Sequence, residues 1–338
     1  MSLRYFYCPT NRFPLRNKYL FSVYFAWYNF WEKRMEMETI VQANNLGKKY
    51  GNKWVIRNAS FSVQKGEIVG LVGKNGAGKT TLIRLLTGII KPSEGSFTLF
   101  GNTDLIHNLG KVSARIEHPS IHKSRSGKDN LTENCLLHGR KDPVESGYIR
   151  KQREYVGLGE RYSSRRPCGA YSLGRKQRLG IAMARVTKPE LMLLDEPTNG
   201  LDPEGIKQIR ELLLKLNREQ NVTRLISSHI LSELGKFATS YVFIDKGRLL
   251  EKISAENLEN TSRHRYIIGT SDNGKAACLR KEKGYEVSQD RDFLNVYNVN
   301  NQMDFLNLLI ENRLTLTHFE SKENGLEEHF LRLIGDRK

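Results

Sequence analysis

The sequence contains no run of about 20 apolar residues, the length that an α-helix needs to cross a lipid bilayer. Its 338 residues include only four cysteines, Cys8, Cys135, Cys168 and Cys278, which are far apart and form no C-x-x-C pair. This spacing argues against a structural zinc site and against a disulfide framework, and it fits a reducing compartment. Because the sequence has no apolar run long enough to cross the bilayer, a role in membrane transport would require another chain to form the membrane passage.

Acidic side chains are also scarce, because 37 Asp and Glu stand against 54 Lys and Arg, which gives a net charge of +17. The excess is concentrated in residues 107–186, with 17 basic and 7 acidic side chains, and in residues 1–34, with 6 basic and 1 acidic. A basic surface suits nucleic acid or anionic lipid headgroups, and it also favours solubility. Charge alone leaves these possibilities open.

The first 34 residues differ from the rest because they contain twelve aromatic side chains and no acid before Glu32. A segment in a membrane interface favours Tyr and Trp beside Arg and Lys. A signal peptide is a second possibility, although no small-residue cleavage site follows the apolar run. A third is that translation begins at Met35 or Met37. We therefore expect residues 1–36 to be a leader that is either disordered or assigned to the chain by mistake.

Between residues 39 and 253, short apolar runs alternate with helical stretches, a pattern that predicts an α/β domain. The runs typical of buried parallel strands are Ile68–Val72, Leu191–Leu194, Leu225–Ser228 and Tyr241–Ile244. The stretches that predict helices are Thr81–Leu86, Arg178–Ala184 and Gly205–Leu216. Residues 111–167 are polar, basic and mostly helical in pattern, which indicates an inserted helical subdomain that extends to about residue 185. The expected nucleotide-binding domain therefore spans residues 37–253.

The alternation weakens in the last part of the chain, and residues 254–338 predict a small α+β accessory domain. Its predicted strands are Tyr266–Gly269, Phe293–Tyr297 and Leu314–Phe319, and its predicted helices are Met303–Glu311 and Leu326–Ile334. No pattern in this part of the sequence indicates a catalytic site.

A glycine-rich stretch follows the run Ile68–Val72 and precedes a predicted helix. It reads Gly73-Lys74-Asn75-Gly76-Ala77-Gly78-Lys79-Thr80 and matches the pattern G-x-x-x-x-G-K-[ST]. In such a loop the backbone N–H groups surround phosphate oxygens, and the N-terminus of the next helix favours the same negative charge. Lys79 suits the β- and γ-phosphates and the Thr80 hydroxyl suits Mg²⁺. We also expect Thr81 to lie at the nucleotide.

The apolar run Leu191–Leu194 leads directly into two acids. Asp195 is placed to reach Mg²⁺, and Glu196 is placed to orient and polarise an attacking water. Two acids before Pro197 could also begin a turn, but the phosphate-binding loop upstream favours catalysis. The two motifs together predict a P-loop NTPase.

A narrower assignment depends on a third motif, Tyr171-Ser172-Leu173-Gly174-Arg175-Lys176-Gln177-Arg178. This segment resembles the L-S-G-G-Q signature of the ATP-binding-cassette (ABC) family. The resemblance covers residues 39–253 and implies a RecA-like core with a β-subdomain and an inserted helical subdomain. It also implies that Ser172 and the Gly174 amide contact the γ-phosphate of ATP held by a second copy of the chain.

The same resemblance implies roles for four further residues. Tyr50 would stack on adenine, as the aromatic residue that precedes the first strand does in this family. Asp202, in Asn199-Gly200-Leu201-Asp202, belongs to the loop by which the two copies sense each other, and His229 would contact the γ-phosphate. Glu117 stands where the family carries a glutamine that reaches Mg²⁺ and the attacking water. The implied metal-binding residues are therefore Thr80, Asp195 and Glu117.

A glutamate at position 117 also narrows the resemblance to one branch of the family. Together with Y-S-L-G-x-K-Q-R-L-G-I-A, E-P-T-N-G-L-D-P and S-S-H-I-L-S-E, it is similar to the bacitracin-resistance and lantibiotic-immunity branch, which expels peptide antibiotics. Membership implies that ATP and Mg²⁺ are bound, that two copies form a dimer, and that a separate transmembrane permease holds them at the cytoplasmic face of the membrane. Arg175 departs from this branch, which usually has methionine there, and the stretch Lys123–Lys128 is unusually basic.

Two other functions remain open at this point. The ATPase of a nutrient importer would differ only in its membrane partner. A soluble ATPase that acts on nucleic acid or ribosomes would explain the positive charge, but such proteins usually carry two cassettes or long coiled-coil insertions. The sequence has one cassette and no sustained heptads, so we expect no nucleic-acid partner.

Overall fold

The computed structural model describes residues 38–117, 120–141, 143–159, 166–261, 265–282, 286–290, 293–297, 302–322 and 325–335. The predicted leader, residues 1–36, lies outside this part of the chain. Thr39–Lys338 form one compact unit. Within the described residues, no helix is both long enough and apolar enough to cross a membrane.

The described strands and helices follow the alternation that the sequence predicts. The strands are β1 (Thr39–Tyr50), β2 (Lys53–Gln64), β3 (Ile68–Val72), β4 (Glu94–Leu99), β5 (Val112–Arg115), β6 (Leu191–Asp195), β7 (Thr223–Ser228), β8 (Ser240–Asp245), β9 (Arg248–Ser254), β10 (Arg265–Thr270), β11 (Glu286–Asp290), β12 (Phe293–Tyr297) and β13 (Leu316–Lys322). The α-helices are α1 (Lys79–Leu86), α2 (Leu105–Asn108), α3 (Gly127–Leu137), α4 (Tyr148–Tyr155), α5 (Leu173–Ala184), α6 (Pro203–Gln220), α7 (Leu231–Leu234), α8 (Ala255–Thr261), α9 (Asn273–Glu282), α10 (Gln302–Glu311) and α11 (Leu326–Gly335).

The main sheet places the carboxyl ends of five parallel strands on one side. Its order is β4-β1-β2-β9-β8-β3-β7-β6-β5, and β8, β3, β7, β6 and β5 run parallel. The register places Val72 opposite Ser228 and Asp195 opposite Ser227. Because parallel strands end on the same side of a sheet, the residues that follow β3, β5, β6 and β7 meet there.

Both faces of these parallel strands are covered by apolar cores. Leu191 and Leu193 face one core, and Met192 and Leu194 face the other. A strand that is buried on both faces has no polar side to alternate with its apolar side, which explains the continuous apolar runs in the sequence. The predicted α/β fold is therefore confirmed.

The start of the predicted helical subdomain requires a correction. Residues 112–115 form β5, which pairs with β6 as the outermost strand of the main sheet, so the segment that begins at Lys111 is not helical at its start. The four residues Val-Ser-Ala-Arg are too few and too polar to be recognised as a strand by pattern. Helices α3, α4 and α5 follow it within the predicted subdomain, residues 111–185.

The C-terminal part contains a second, four-stranded antiparallel sheet in the order β11-β12-β10-β13. Helix α9 lies between β10 and β11 and helix α10 between β12 and β13, which gives a β-α-β-β-α-β motif with its own core. Helix α11 belongs elsewhere, since Leu326 and Phe330 are buried in a core of the main sheet. The last helix of the predicted accessory domain thus packs against the nucleotide-binding part.

Candidate functional site

The loop between β3 and α1 requires glycine at two positions, Gly73 and Gly78. A Cβ atom on Gly73 would lie 2.5 Å from the Ile244 carbonyl oxygen, and Gly78 has a φ of 109°. Side-chain-bearing residues rarely adopt such a backbone conformation, so the chain can turn sharply here only with glycine. Lys74, Asn75 and Gly76 are exposed at the loop.

The rest of the loop is anchored to the body of the protein. Ala77 is buried, and its carbonyl accepts a hydrogen bond of 3.0 Å from the Gly247 amide. The Leu82 amide donates to the Gly78 carbonyl, which starts the helical hydrogen bonds, and Thr81 lies in the first turn of α1.

Lys79 is a buried cation whose ammonium group points back into the loop. Its Nζ donates to the carbonyl oxygens of Gly73 at 2.7 Å and Lys74 at 3.3 Å. The same Nζ lies 3.3 Å from Glu196 Oε1. The positive charge is therefore held between the loop and the carboxylate that follows β6.

Asp195 at the end of β6 connects β7 to the first turn of α1. Its Oδ2 accepts a hydrogen bond of 2.8 Å from the Thr80 hydroxyl, and its Oδ1 accepts one of 2.6 Å from the Ser227 hydroxyl. Only 2% of Asp195 is exposed. A hydroxyl and a carboxylate thus converge at the loop, and such oxygen donors suit Mg²⁺.

Glu196 and His229 form a pair beside this oxygen cluster. His229 Nδ1 lies 2.7 Å from Glu196 Oε2, while the Glu196 amide donates to the Ser227 hydroxyl at 2.9 Å. The φ of Glu196 is 46°, in the left-handed region. The carboxylate is therefore held from both sides, by Lys79 at Oε1 and by His229 at Oε2.

Glu117 contacts two arginines. Its Oε1 lies 2.6 Å from Arg84 Nη2 on α1, and its backbone carbonyl accepts a hydrogen bond of 3.3 Å from Arg115 Nη2. Its φ is 58° and 60% of its side chain is exposed. In this structure its side chain pairs with Arg84, while the other two predicted metal-binding residues, Thr80 and Asp195, bond each other.

Arg115 places an additional positive charge next to the buried carboxylate. It is 4% exposed, and its Nε and Nη1 atoms have no hydrogen-bond partner among the described residues. Burial lowers the pKa of Arg115 to about 10, and the negative charge of Asp195 acts in the opposite direction. This residue therefore contributes to the electrostatics of the site.

The predicted signature forms a second cluster. The Ser172 hydroxyl caps α5 by accepting a hydrogen bond from the Arg175 amide, and a Cβ on Gly174 would lie 3.7 Å from Leu201. Asp202 caps α6 by accepting from the Gly205 amide at 3.1 Å. Among the described residues, no hydrogen bond or ion pair joins Ser172, Gly174 or Asp202 to the phosphate-binding loop.

Tyr50 occupies a different position from the one expected. It ends β1 at the turn before β2, so it follows the first strand where the resemblance implied that it precedes it. The long first strand pairs with both β2 and β4, which extends it to this turn. Tyr50 is 47% exposed, and Lys48 Nζ lies 5.1 Å from the centre of its ring.

Sequence patterns missed three residues of this site. Ser227 supports both Asp195 and the Glu196 amide; it begins the motif S-S-H-I-L-S-E, but that pattern assigned it no role. Arg84 and Arg115 hold Glu117, and neither belongs to a recognised motif. Contacts of this kind depend on strand register and cannot be seen in a linear pattern.

Comparisons with known proteins find relatives of this chain. The model of the family described as ABC transporter matches residues 56–199. The chain is 37% identical over 312 residues to the bacitracin transport ATP-binding protein BcrA of Bacillus licheniformis. The matched region covers 88% of this chain and 98% of that protein. It is 38% identical over 223 residues to the lantibiotic transport ATP-binding protein SrtF of Streptococcus pyogenes, which covers 65% of this chain and 94% of that protein.

Solved structures show the same fold. One is that of an ATP-binding subunit of an ABC transporter, with a TM-score of 0.58 and 25% identity, covering 66% of this chain and 92% of that one. Another is CbiO1 from Clostridium perfringens, with a TM-score of 0.58 and 23% identity, again covering 66% and 92%.

Proposed function

Because the chain belongs to the family of ATP-binding subunits of ABC transporters, we propose that its ATP hydrolysis drives the export or expulsion of peptide antibiotics of the bacitracin and lantibiotic type. One observation carries this proposal. The similarity to the bacitracin transport protein covers 98% of that protein, and its 312 residues are more than the predicted nucleotide-binding domain contains. The likeness therefore includes the C-terminal part, beyond the motifs that ABC ATPases share.

The residues of the loop and of the strand ends have the chemistry that hydrolysis requires. We assign the loop Gly73–Thr81 to the phosphates, with Lys79 as the cation for the β- and γ-oxygens. Glu196 is the general base, and His229 holds its carboxylate through the 2.7 Å contact. A phosphate oxygen that approaches Lys79 competes with Glu196 for the ammonium group, and so couples nucleotide binding to the position of the base.

The oxygen donors at the end of β6 fit Mg²⁺. Thr80 and Asp195 provide a hydroxyl and a carboxylate 2.8 Å apart. The described residues contain no group of three or more His, Cys, Asp or Glu that could bind a metal by itself. Mg²⁺ typically binds through one or two protein oxygens together with substrate phosphates and water, which is the arrangement that this pair allows. When bound, the ion neutralises charge on the phosphates, and Glu117 is its third proposed ligand.

We further propose that two copies of the chain close around ATP and that a transmembrane permease holds them at the cytoplasmic face of the membrane. Ser172, Gly174 and Asp202 would then serve the nucleotide of the partner subunit, in agreement with their position in a separate cluster. The basic residues 107–186 suit a surface near anionic headgroups.

Antibiotic susceptibility tests the substrate class. The chain and its permease would be expressed in a bacitracin-sensitive host, and the inhibitory concentration would be measured for bacitracin, for a lantibiotic and for a non-peptide antibiotic. We expect the inhibitory concentration to rise for bacitracin, for the lantibiotic or for both, and to stay unchanged for the non-peptide antibiotic. The rise should disappear with Glu196→Gln. If a complex that hydrolyses ATP leaves the tolerance to both peptides unchanged, the proposed substrate class is wrong.

A further inference from the structure

We propose that Arg84 is a positioning residue that competes with Mg²⁺ for the carboxylate of Glu117, and thereby sets the metal concentration that the site requires. The inference rests on the proposed function, because it assumes that Glu117 serves the metal of an ATP site. Arg84 belongs to none of the motifs that the sequence pattern identifies, and its role comes from its contacts in the fold.

The position of Arg84 on α1 relates it directly to the metal-binding hydroxyl. It follows Thr80 by four residues in the same helix, so the two side chains lie on the same face, one turn apart. Arg84 Nη2 lies 2.6 Å from Glu117 Oε1. The ion pair therefore holds the Glu117 carboxylate beside Arg84, one helical turn away from Thr80 along α1.

The backbone of Glu117 is held as well. The carbonyl oxygen of Glu117 accepts a hydrogen bond from Arg115, which is buried beside Asp195. The φ of 58° is one that side-chain-bearing residues seldom adopt outside turns. With its main chain held by Arg115, the Glu117 carboxylate can bind either of two cations, the Arg84 guanidinium or the metal.

Arg84 can compete with the metal only because position 117 carries a carboxylate. Glutamine would retain an oxygen for the metal but would form no ion pair with an arginine. With glutamate, we expect movement of the carboxylate to the metal position to break the Arg84 pair. Because 38% of Arg84 and 60% of Glu117 are exposed, solvent screens the pair, and its removal should strengthen metal binding about two- to fivefold.

The test compares Arg84→Met with the unaltered full-length chain in saturating ATP. Bound Mn²⁺, used as a probe for the metal, would be measured by electron paramagnetic resonance, and the Mg²⁺ concentration for half-maximal hydrolysis would be measured in parallel. We expect both half-saturation concentrations to fall about two- to fivefold in Arg84→Met. Arg84→Lys, which keeps the charge, should resemble the unaltered chain. Arg218→Met, a change at an exposed arginine on α6, should also resemble it.

The same arginine change in a Glu117→Gln chain separates this account from general electrostatics. If Arg84 acts through Glu117, Arg84→Met should shift Mn²⁺ binding only when Glu117 is present. An equal shift in both backgrounds, or no shift in either, would overturn the inference. Absence of Mg²⁺-dependent hydrolysis in the unaltered chain would instead count against the proposed function, so the two failures are distinguishable.

Discussion

At the residue scale, the site depends on a few polar groups that bond one another, of which Lys79, Asp195 and Ser227 are buried. Asp195 joins Thr80 to Ser227, and Glu196 joins Lys79 to His229. Each carboxylate is thus held at both of its oxygens. This arrangement orients the proposed metal ligand and the proposed base before substrate arrives, which favours catalysis because little reorganisation remains.

Replacement of Glu196 by glutamine tests the proposed base. The amide cannot accept a proton, so we expect ATP turnover to fall by about 10²–10⁴-fold while ATP binding persists. Steady-state hydrolysis and equilibrium binding of ATP would be measured on the same preparations. Glu211→Gln, at an exposed acid on α6, is the matched control. Turnover near the original rate in Glu196→Gln would remove Glu196 from the mechanism.

Arg224 on β7 shows the cost of a buried charge away from this site. It is 0% exposed, and none of its three guanidinium nitrogens has a hydrogen-bond partner among the described residues. Burial lowers the pKa of Arg224 to about 10, although the nearby Tyr155 phenol acts in the opposite direction. The structure gives no functional reason for this charge.

An apolar side chain of similar length should therefore stabilise the protein. We expect Arg224→Met to raise the free energy of unfolding by about 1–4 kcal/mol, because the uncompensated desolvation of the guanidinium is removed. Urea unfolding of both proteins provides the measurement. A less stable Arg224→Met protein would mean that the guanidinium has a favourable interaction in the folded state.

Sequence patterns located most of the candidate residues at this scale, since the loop Gly73–Thr80 and the acids Asp195 and Glu196 are contiguous motifs. They could not locate Ser227, because its role arises from its register opposite Asp195. They also gave no account of Arg84 and Arg115, whose contacts with Glu117 join a helix and a sheet edge.

At the scale of elements, the parallel strands were predictable because burial on both faces makes them continuously apolar. Strand β5 was missed because it is short and lies at the edge of the sheet, where Ser113 and Arg115 are tolerated. The packing position of α11 was not predicted, because an amphipathic pattern shows that one face of a helix is buried but does not show which core buries it.

Substitutions can test whether helix α11 stabilises the core of the main sheet or the core of the C-terminal sheet. Phe330 is 5% exposed and its ring lies 5.9 Å from that of Phe243 on β8, whereas Phe305 is buried in the core of the C-terminal sheet. We expect Phe330→Ala to destabilise the nucleotide-binding part by about 3–5 kcal/mol.

Calorimetry with and without ATP would identify the relevant transition, because ligand binding raises the unfolding temperature of the part that binds it. Phe330→Ala should lower that transition, and Phe305→Ala should lower it less. An equal effect of the two changes would contradict the assignment of α11 to the core of the main sheet.

At the scale of the whole molecule, a proposed catalytic site needs two groups of residues, and within the described residues of one chain these two groups lie in separate clusters. The loop, Asp195, Glu196 and His229 form one cluster, and Gly174 of the signature lies against Leu201 in another. The account therefore requires a second copy of the chain, which places the signature of one subunit over the nucleotide of the other.

A mixing experiment tests this central claim most directly. Lys79→Ala should inactivate the phosphate-binding half, and Ser172→Phe should inactivate the signature half, so each variant alone should hydrolyse almost no ATP. In a mixed dimer, the intact loop of one copy faces the intact signature of the other. An equimolar mixture forms mixed dimers half of the time, each with one working site, and should recover about a quarter of the original activity.

The measurement is steady-state ATP hydrolysis by the two purified variants, separately and mixed, at the same total concentration. Recovery on mixing is the result that this account predicts. If the mixture is as inactive as its components, or if Ser172→Phe alone retains full activity, the sites are not shared between copies and the account is contradicted.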